Sequence, residues 1–453
     1  MFNARVLLSL AVFTGLSVST AHAQSLTDMV SQTLLNHPQI EMSKTALDAA
    51  QEEQKEYRSA YFPQISVNAT TGRIYGDNAT SRGLSVTRGA GYSDLWEKTA
   101  SVSQMLFDGF ETQNRVDAVK ASENAALYNV MDVKEQLAFK AVQTYINLMR
   151  ARGGHLMLAK HEKLLQDYKE RIETSVRDGT GNEAELRQAE DILLTFENFK
   201  ADYAGQIKAA ESDYLELVGE LPGSDFALPL PPENMILENV EEAVAQAKEV
   251  HPILQEMQFV ASASGYGVEA EKAAFYPDVT GELSYLKSNK EEMIGGDVED
   301  RRAIVRMNWS FETGGAAMAR VNKKKLERRD ALAKIEETQR QVERNVRLAY
   351  AEYDTAKKQM DNQAKRLKIN EDLSETYETQ FEGALVSVLD LMRAQNQLLK
   401  TRIEAANSRY RYVLSQYAVL ASLGRLQEAL GLNEKAEKVA NSPPSSDEIT
   451  EKQ

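Results

Sequence analysis

Residues 316–382 read AAMARVNKKKLERRDALAKIEETQRQVERNVRLAYAEYDTAKKQMDNQAKRLKINEDLSETYETQFE, 67 residues with no glycine and no proline. Alanine, glutamate, lysine, arginine, glutamine and leucine dominate, all good helix formers. As one helix the run spans roughly 100 Å at about 1.5 Å per residue. Gly383 interrupts it, and a second run free of glycine and proline follows from Ala384 to Leu423. Along that second run Leu385, Leu389, Met392, Gln395, Leu399, Ile403, Ala406, Tyr410, Val413, Tyr417 and Leu420 recur at steps of mostly three and four. Their mean spacing of about 3.5 residues belongs to coiled coils. Residues 316–423 therefore predict an antiparallel helical hairpin.

The same pattern stands earlier in the chain. Residues 110–218 predict a first hairpin, with Gly153-Gly154 inside its long arm and Gly205 inside its return. His37-Pro38 returns as His251-Pro252, and Tyr61-Phe62-Pro63 as Phe275-Tyr276-Pro277, both at an offset of 214. Tyr145 returns as Tyr350 and Glu185 as Asp390, both at 205. Several offsets in one order indicate an internal duplication. The second copy is about nine residues shorter between Pro277 and Phe311. The expected division is a first repeat over 24–221, a proline-bearing extended linker over 222–233, and a second repeat over 234–432.

Pro63 and Pro277 end the helices before them, because proline removes a donor and clashes with the preceding turn. Alternating segments follow. In Ala303–Glu312 the residues Ala303, Val305, Met307, Trp309 and Phe311 share one face, and Ile304, Arg306, Asn308, Ser310 and Glu312 lie on the other. An apolar face backed by a polar one is the pattern of a strand between lipid and a wet lumen. Strands are predicted at about 64–75, 98–107, 278–287 and 303–312. Trp96, Tyr75, Tyr92, Tyr285 and Trp309 are candidate interfacial aromatics.

Composition narrows the function. Lys plus Arg is 53 and Asp plus Glu is 68, a net charge of −15, and cysteine is absent. An acidic balance argues against a nucleic-acid partner, which calls for a basic face. Without cysteine there is no disulfide, no thiolate metal site and no lipid-modified N-terminal cysteine. No P-loop, HExxH, Gly-x-Ser-x-Gly or dinucleotide-binding glycine turn appears, so neither an enzyme nor a cofactor or metal site is expected. His37 and His251 read as structural. The basic run Lys323-Lys324-Lys325 with Arg328-Arg329, just below the predicted barrel, reads as a solvated helix face, with contact to acidic lipid head groups as the alternative. Residues 1–23, with Arg5, an apolar Val6–Val18 and Ala21-His22-Ala23, fit an export signal. The tail 433–453, with Pro443-Pro444 and no aromatics, is expected to be disordered. No later run is long and apolar enough for a spanning helix, so membrane entry requires a closed β-barrel.

Four strands cannot close a barrel, and open edges in lipid leave backbone groups unpaired at several kcal/mol each. A hairpin of roughly 100 Å likewise needs neighbours to cover its seam. Both requirements point to an oligomer.

The order of these features resembles the TolC family of outer-membrane factors, over almost the whole chain from about Leu26 to Leu432. The carriers are the repeated His-Pro, the helix ends at Phe62-Pro63 and Tyr276-Pro277, the strand ends Phe107-Asp108-Gly109 and Phe311-Glu312-Thr313-Gly314, and two hairpin tips. The tips are Asp178–Glu185 followed by Gln188-Ala189, and Phe381–Asp390 followed by Arg393-Ala394-Gln395. The resemblance implies a mainly α fold with β. Duplicated helical hairpins build a trimeric α-barrel across the periplasm, and four strands per chain contribute to a shared twelve-stranded outer-membrane β-barrel.

It also implies roles and partners. The tips contact a periplasmic membrane-fusion adaptor through the turns at Gly179, Gly181, Gly383 and Ala384. Asp390, with Glu185 as its first-repeat counterpart, is placed at a pore constriction, where threefold carboxylates favour cations. The chain departs from the family pattern in carrying Arg393 where a second aspartate is common, and Val386 at an arginine-bearing position. The expected function is the outer-membrane exit duct of a type I, ABC transporter-driven protein secretion system. Its partners are an inner-membrane ABC transporter, the adaptor, the secreted protein, outer-membrane lipid and two further copies of itself. The absent cysteine, Gly179-Thr180-Gly181 and the short tail resemble secretion-type members. The alternatives are a drug or metal efflux channel and, from another class, a periplasmic coiled-coil adaptor or scaffold.

Overall fold

The structure, a computed structural model, describes residues 25–76, 91–290, 297–383 and 385–432. The expected export signal, the tail and Ala384 lie outside the described residues.

The chain begins with α1 (Leu26–Asn36), capped by Ser25 in a capping box with Asp28, and α2 (Pro38–Ser59). His37 ends the first and caps the second. Its Nδ1 accepts the Gln39 N–H at 3.2 Å, with Pro38 at the first helical position. In the second repeat α5 (Val240–Val250) and α6 (Pro252–Lys272) meet in the same way at His251, whose Nδ1 accepts the Ile253 N–H. The repeated His-Pro is thus a helix break: the imidazole caps and proline needs no donor there.

Each helix pair leads into two strands, β1 (Gln64–Gly76) and β2 (Gly91–Phe107), then β3 (Asp278–Lys290) and β4 (Asp297–Asn308). They form one antiparallel sheet in the order β1-β2-β3-β4, so the two repeats meet where β2 pairs with β3. β1 and β3 have equal length, and most of the shortening in the second repeat falls in the interval 291–296, against 77–90 in the first.

Each repeat then returns through a hairpin. α3 (Glu111–Arg177) and α7 (Ala316–Glu382) are both 67 residues, and α4 (Glu183–Val218) and α8 (Val388–Ser422) run back along them. A short α9 (Leu426–Ala429) closes the described chain. One apolar core joins α1, α2, α3, α4 and α8 through Met29, Ile40, Tyr145, Tyr214 and Tyr417. A second, lower core holds α3, α4 and α8 together through Leu165, Phe196 and Met392. α3 buries 21 residues but α7, of equal length, only eight, so α7 lies at an edge with one flank open.

The segment between repeats is strapped down rather than slack. Tyr145 donates its hydroxyl to Ala227 O at 2.7 Å, and its counterpart Tyr350 donates to Leu237 O at 2.9 Å. Arg152 lies 5.2 Å over the Phe226 ring and donates to Gly223 O.

Several boundaries differ from those read in sequence. β2 starts at Gly91, not Lys98, because it pairs with β1 as far as Gly76↔Gly91. Asp94, Glu97 and Lys98 hide that stretch from an apolar-alternation test. β4 covers Asp297–Asn308, so Trp309–Phe311 lie beyond it. The ladder ends at Asp278↔Asn308, next to Pro277, which has no N–H to extend it. Trp309 instead donates its indole N–H to Phe275 O at 3.3 Å. α8 starts at Val388 because Ser387 caps it, and Leu385 is left exposed in the turn.

Candidate functional site

The pairing register sorts the sheet into two faces, since partners share a face and neighbours along a strand do not. Ile65, Val67 and Ala69 of β1 share one face with Ala100 and Val102 of β2, Val279 and Leu283 of β3, and Ala303, Val305 and Met307 of β4. Much of that surface is bare: Val67 is 76% exposed, Val305 71% and Met307 64%. The other face carries Ser66, Asn68 and Thr70, then Thr99, Ser101 and Ser103, then Thr280, Glu282 and Ser284, then Arg302 and Arg306. Ser66 and Ser101 share a hydrogen bond at 2.7 Å, and Arg306 reaches Glu282 at 3.4 Å. One side suits hydrocarbon and the other suits water.

The apolar band is oblique. It centres on Val67 in β1 and on Val305 in β4, yet Val67 lines up through Ala100 and Tyr285 with Arg301. The band therefore shifts by four residues, about 13 Å, over three inter-strand steps of about 4.8 Å each. That is an angle of about 40°, the strand tilt of transmembrane barrels. Trp96 and Tyr285 stand at the band's margin on the hairpin side, and Trp309 and Phe311 on the helical side, their rings 4.9 Å apart. The Tyr92 side chain lies outside those described. Among the described residues the outer edges of β1 and β4 have no partner strand. Among the described residues no helix is long and apolar enough to cross a membrane.

At the other end of the molecule the two hairpins turn. Gly179 adopts φ +76, and a Cβ on Gly181 would lie 2.7 Å from the Val176 backbone nitrogen, so both glycines are needed for this tight turn. Gly383 has φ −80 and merely ends α7. Asn182 caps α4 through Ala184 N–H at 2.9 Å, and Ser387 caps α8. Glu185 and Asp390 then hold the same place, the third residue of their helices. Asp390 closes a capping box: Oδ2 accepts from Ser387 N–H at 3.2 Å and Ser387 Oγ–H at 2.9 Å. Its Oδ1 stands 3.5 Å from Arg393 Nη1. Arg393 also donates to Gln188 Oε1, which joins the second hairpin to the first.

The structure thus brings Asp390 and Arg393 together and sets Glu185 at the repeat-equivalent place. Sequence reading missed the Gln188 contact. It also overlooked Ser387, although Ser-x-x-Asp ahead of an apolar run is a capping-box signal. Among the described residues no group of acidic or histidine side chains is arranged to hold a metal.

Comparison with known proteins covers the whole architecture. The model of the outer membrane efflux protein family matches residues 29–220 and 243–425, one segment per repeat. Outer membrane efflux protein BepC of Brucella suis biovar 1 is 25% identical over 440 residues, 95% of this chain and 91% of the relative. Outer membrane protein TolC of Escherichia coli K12 is 22% identical, over 96% of this chain and 89% of the relative. Among solved structures, the Campylobacter jejuni CmeC outer membrane channel superposes with a TM-score of 0.76 at 16% identity, covering 91% of this chain and 90% of that one. Vibrio cholerae VceC gives 0.75 at 17% identity, covering 88% and 96%.

Proposed function

The chain belongs to the outer membrane efflux protein family, and on that premise we propose that it is the outer-membrane exit duct of a transporter-driven export machine, working as a homotrimer. It resides in the outer membrane. The observation that carries the proposal is the sheet. An apolar band tilted by about 40° backs onto a polar face, and both edges are open. Three such sheets joined edge to edge make twelve strands without a free edge, with the polar faces inward as a wet passage. The hairpins, about 100 Å long, continue that passage into the periplasm. Their tips, at Gly179, Gly181 and Gly383, meet a periplasmic adaptor, and Glu185, Asp390 and Arg393 stand at the entrance. The division into two repeats, a linker over 222–233 and a preceding export signal belongs to the same reading. The chain conducts and does no chemistry.

The cargo we propose is a protein delivered by an inner-membrane ABC transporter, on the resemblance of the cysteine-free chain and its Gly179-Thr180-Gly181 turn to secretion-type members. Efflux of drugs or metals is the second reading; the relative BepC is named an outer membrane efflux protein, and the relative CusC of Escherichia coli a cation efflux system protein. Outer-membrane fractionation followed by gels of heated and unheated detergent extract tests the duct. A heat-sensitive trimer band is expected, and recovery as a water-soluble monomer refutes it. Deleting the gene in a strain without a second such duct then separates the cargoes: loss of a protein from the culture supernatant, or a gain in drug or metal sensitivity.

A further inference from the structure

The outward face of the sheet changes character on one side of its apolar band. Register places Ala69, Lys98, Lys287 and Glu299 in one row across the four strands, and Val67, Ala100, Tyr285 and Arg301 in the next row towards the helices. Both rows belong to the face that carries Leu283 and Val305, since side chains two apart along a strand point the same way. Because the band is oblique, a row is not a level in a membrane. Measured from the tilted level that joins Val67 to Val305, Lys98 stands about three residues beyond the band's centre, Arg301 about four and Lys287 about five. Four residues are about 13 Å along a strand and, at a tilt of about 40°, about 10 Å along the membrane normal. The border of an apolar band about 25 Å tall lies close to that height. Cations on three successive strands thus share one level, where hydrocarbon gives way to head groups. At the matching level on the helical side the face carries Phe107, Val279 and Trp309 instead.

The two lysines are placed against their own electrostatics. Lys98 and Lys287 are exposed and directly opposite one another, a like-charged cross-strand pair that destabilises a sheet in water. Among the described residues neither has a carboxylate partner, and Lys98 lies 5.7 Å over the Trp96 ring. Arg301, a diagonal neighbour of Lys287, lies 5.7 Å over the Tyr285 ring and meets Glu299 at 2.7 Å. Among the described residues the acids of this face, Glu299, Asp94 and Asp297, all lie farther from the band than the three cations. β2 and β3 are the inner strands, flanked by this chain's own β1 and β4, so assembly with further copies brings no new strand against the lysines. Paired lysines without a counter-charge, at the lipid border and beside two aromatic rings, suit an anion that the membrane itself supplies.

We propose that Lys98, Lys287 and Arg301 dock the phosphorylated head group of an outer-leaflet glycolipid, one lipid per chain, with its acyl chains along Val67, Ala100 and Leu283. The inference rests on the reading that the sheet is a stave of an outer-membrane barrel with its helices in the periplasm, which puts the hairpin ends of the strands at the cell surface. A phosphate between the two ammonium groups relieves their repulsion, and the Arg301 guanidinium adds a further charged donor. The three cations extend over two inter-strand steps of about 4.8 Å each, a span that matches two phosphates on one lipid better than a single one.

The experiment is native mass spectrometry of the full trimer in detergent, titrated with a bisphosphorylated glucosamine-disaccharide lipid, with its dephosphorylated form and with phosphatidylglycerol. The bisphosphorylated lipid is expected to fill one place per chain, and removal of its phosphates to weaken binding by about tenfold or more. Lys98→Gln combined with Lys287→Gln weakens the bisphosphorylated lipid by a similar factor. Lys98→Arg combined with Lys287→Arg binds like the parent, and so does Arg306→Gln on the polar face. Equal binding of the lipid with and without its phosphates overturns the inference, and that arm needs no variant. Unchanged binding by the paired glutamine variant also overturns it. Phosphatidylglycerol binding as tightly as the glycolipid overturns the stated partner in favour of any anionic lipid. In each of these cases a heat-sensitive trimer from the outer membrane leaves the duct reading standing, whereas recovery as a water-soluble monomer overturns both.

Discussion

Gly153 and Gly154 sit side by side within the 67-residue helix α3, and opposite effects of alanine at the two are expected. In an open helix glycine to alanine stabilises by about 1 kcal/mol. At Gly154 an added Cβ would lie 2.1 Å from Cε1 of Tyr203, 2.6 Å from Cζ and 2.7 Å from Cδ1. Ordinary carbon contacts are about 3.5–4 Å, so the whole edge of the ring must retreat. Tyr203 is only 8% exposed and its hydroxyl is held by the Asn407 amide at 3.2 Å, so it has nowhere to go. Overpacking of this kind costs about 1–3 kcal/mol, and with three ring atoms at 2.7 Å or less the upper part of that range applies, which exceeds the helix gain. At Gly153 an added Cβ would meet the Tyr410 hydroxyl at 3.3 Å, the far end of a half-buried side chain that can swing. Gly153→Ala is therefore expected to be neutral or stabilising, and Gly154→Ala destabilising by about 1–2 kcal/mol per chain. The assay is the thermal midpoint of far-ultraviolet circular dichroism for trimers at fixed protein and detergent concentration. Repeating it in a Tyr203→Ala background supplies the control: with the ring gone, Gly154→Ala becomes neutral or stabilising. A Gly154→Ala protein as stable as the parent, or a penalty that persists without Tyr203, refutes the close approach of α3 and α4.

Two further outcomes follow from the sheet and the helix breaks. Val305→Arg places a charge in the apolar band and is expected to cost about 2–4 kcal/mol per site, whereas Ser284→Arg on the polar face is tolerated; refolding into lipid vesicles, read by heat-shifted gel mobility, compares them, and equal yields refute the two-faced assignment. Burial lowers His251 to about 4 from its ordinary 6.5, so its contribution is complete above pH 6.5 and is lost as the pH falls from there towards 4. His251→Asn keeps a capping acceptor that does not titrate, so its thermal midpoint is expected to fall less steeply than the parent's across that window, and parallel curves would show that the His251 cap is not pH-sensitive.

Much of this architecture was legible without coordinates. The span 316–382 matches α7 residue for residue, because a run of strong helix formers without glycine or proline leaves the backbone one economical answer. The offset of 205 reappears between α3 and α7, and the offset of 214 between α1 and α5. Strand ends were harder. β2 gains its first seven residues from pairing with β1, through backbone bonds that leave no pattern in Asp94, Glu97 or Lys98. The tip residues were legible as positions only. Glu185 and Asp390 are the same letter class at the same offset, and their difference lies in what Ser387, Arg393 and Gln188 do with their hydrogens.

Sequence by itself determined the duplication, the helical hairpins and the need for further copies, because these follow from periodicity, proline and glycine placement, and unpaired strand edges. The tertiary structure decided which residues share a face of the sheet, how the apolar band tilts and which tip carboxylate is neutralised. Those depend on register and on contacts between residues some 200 positions apart, and local patterning carries no record of either.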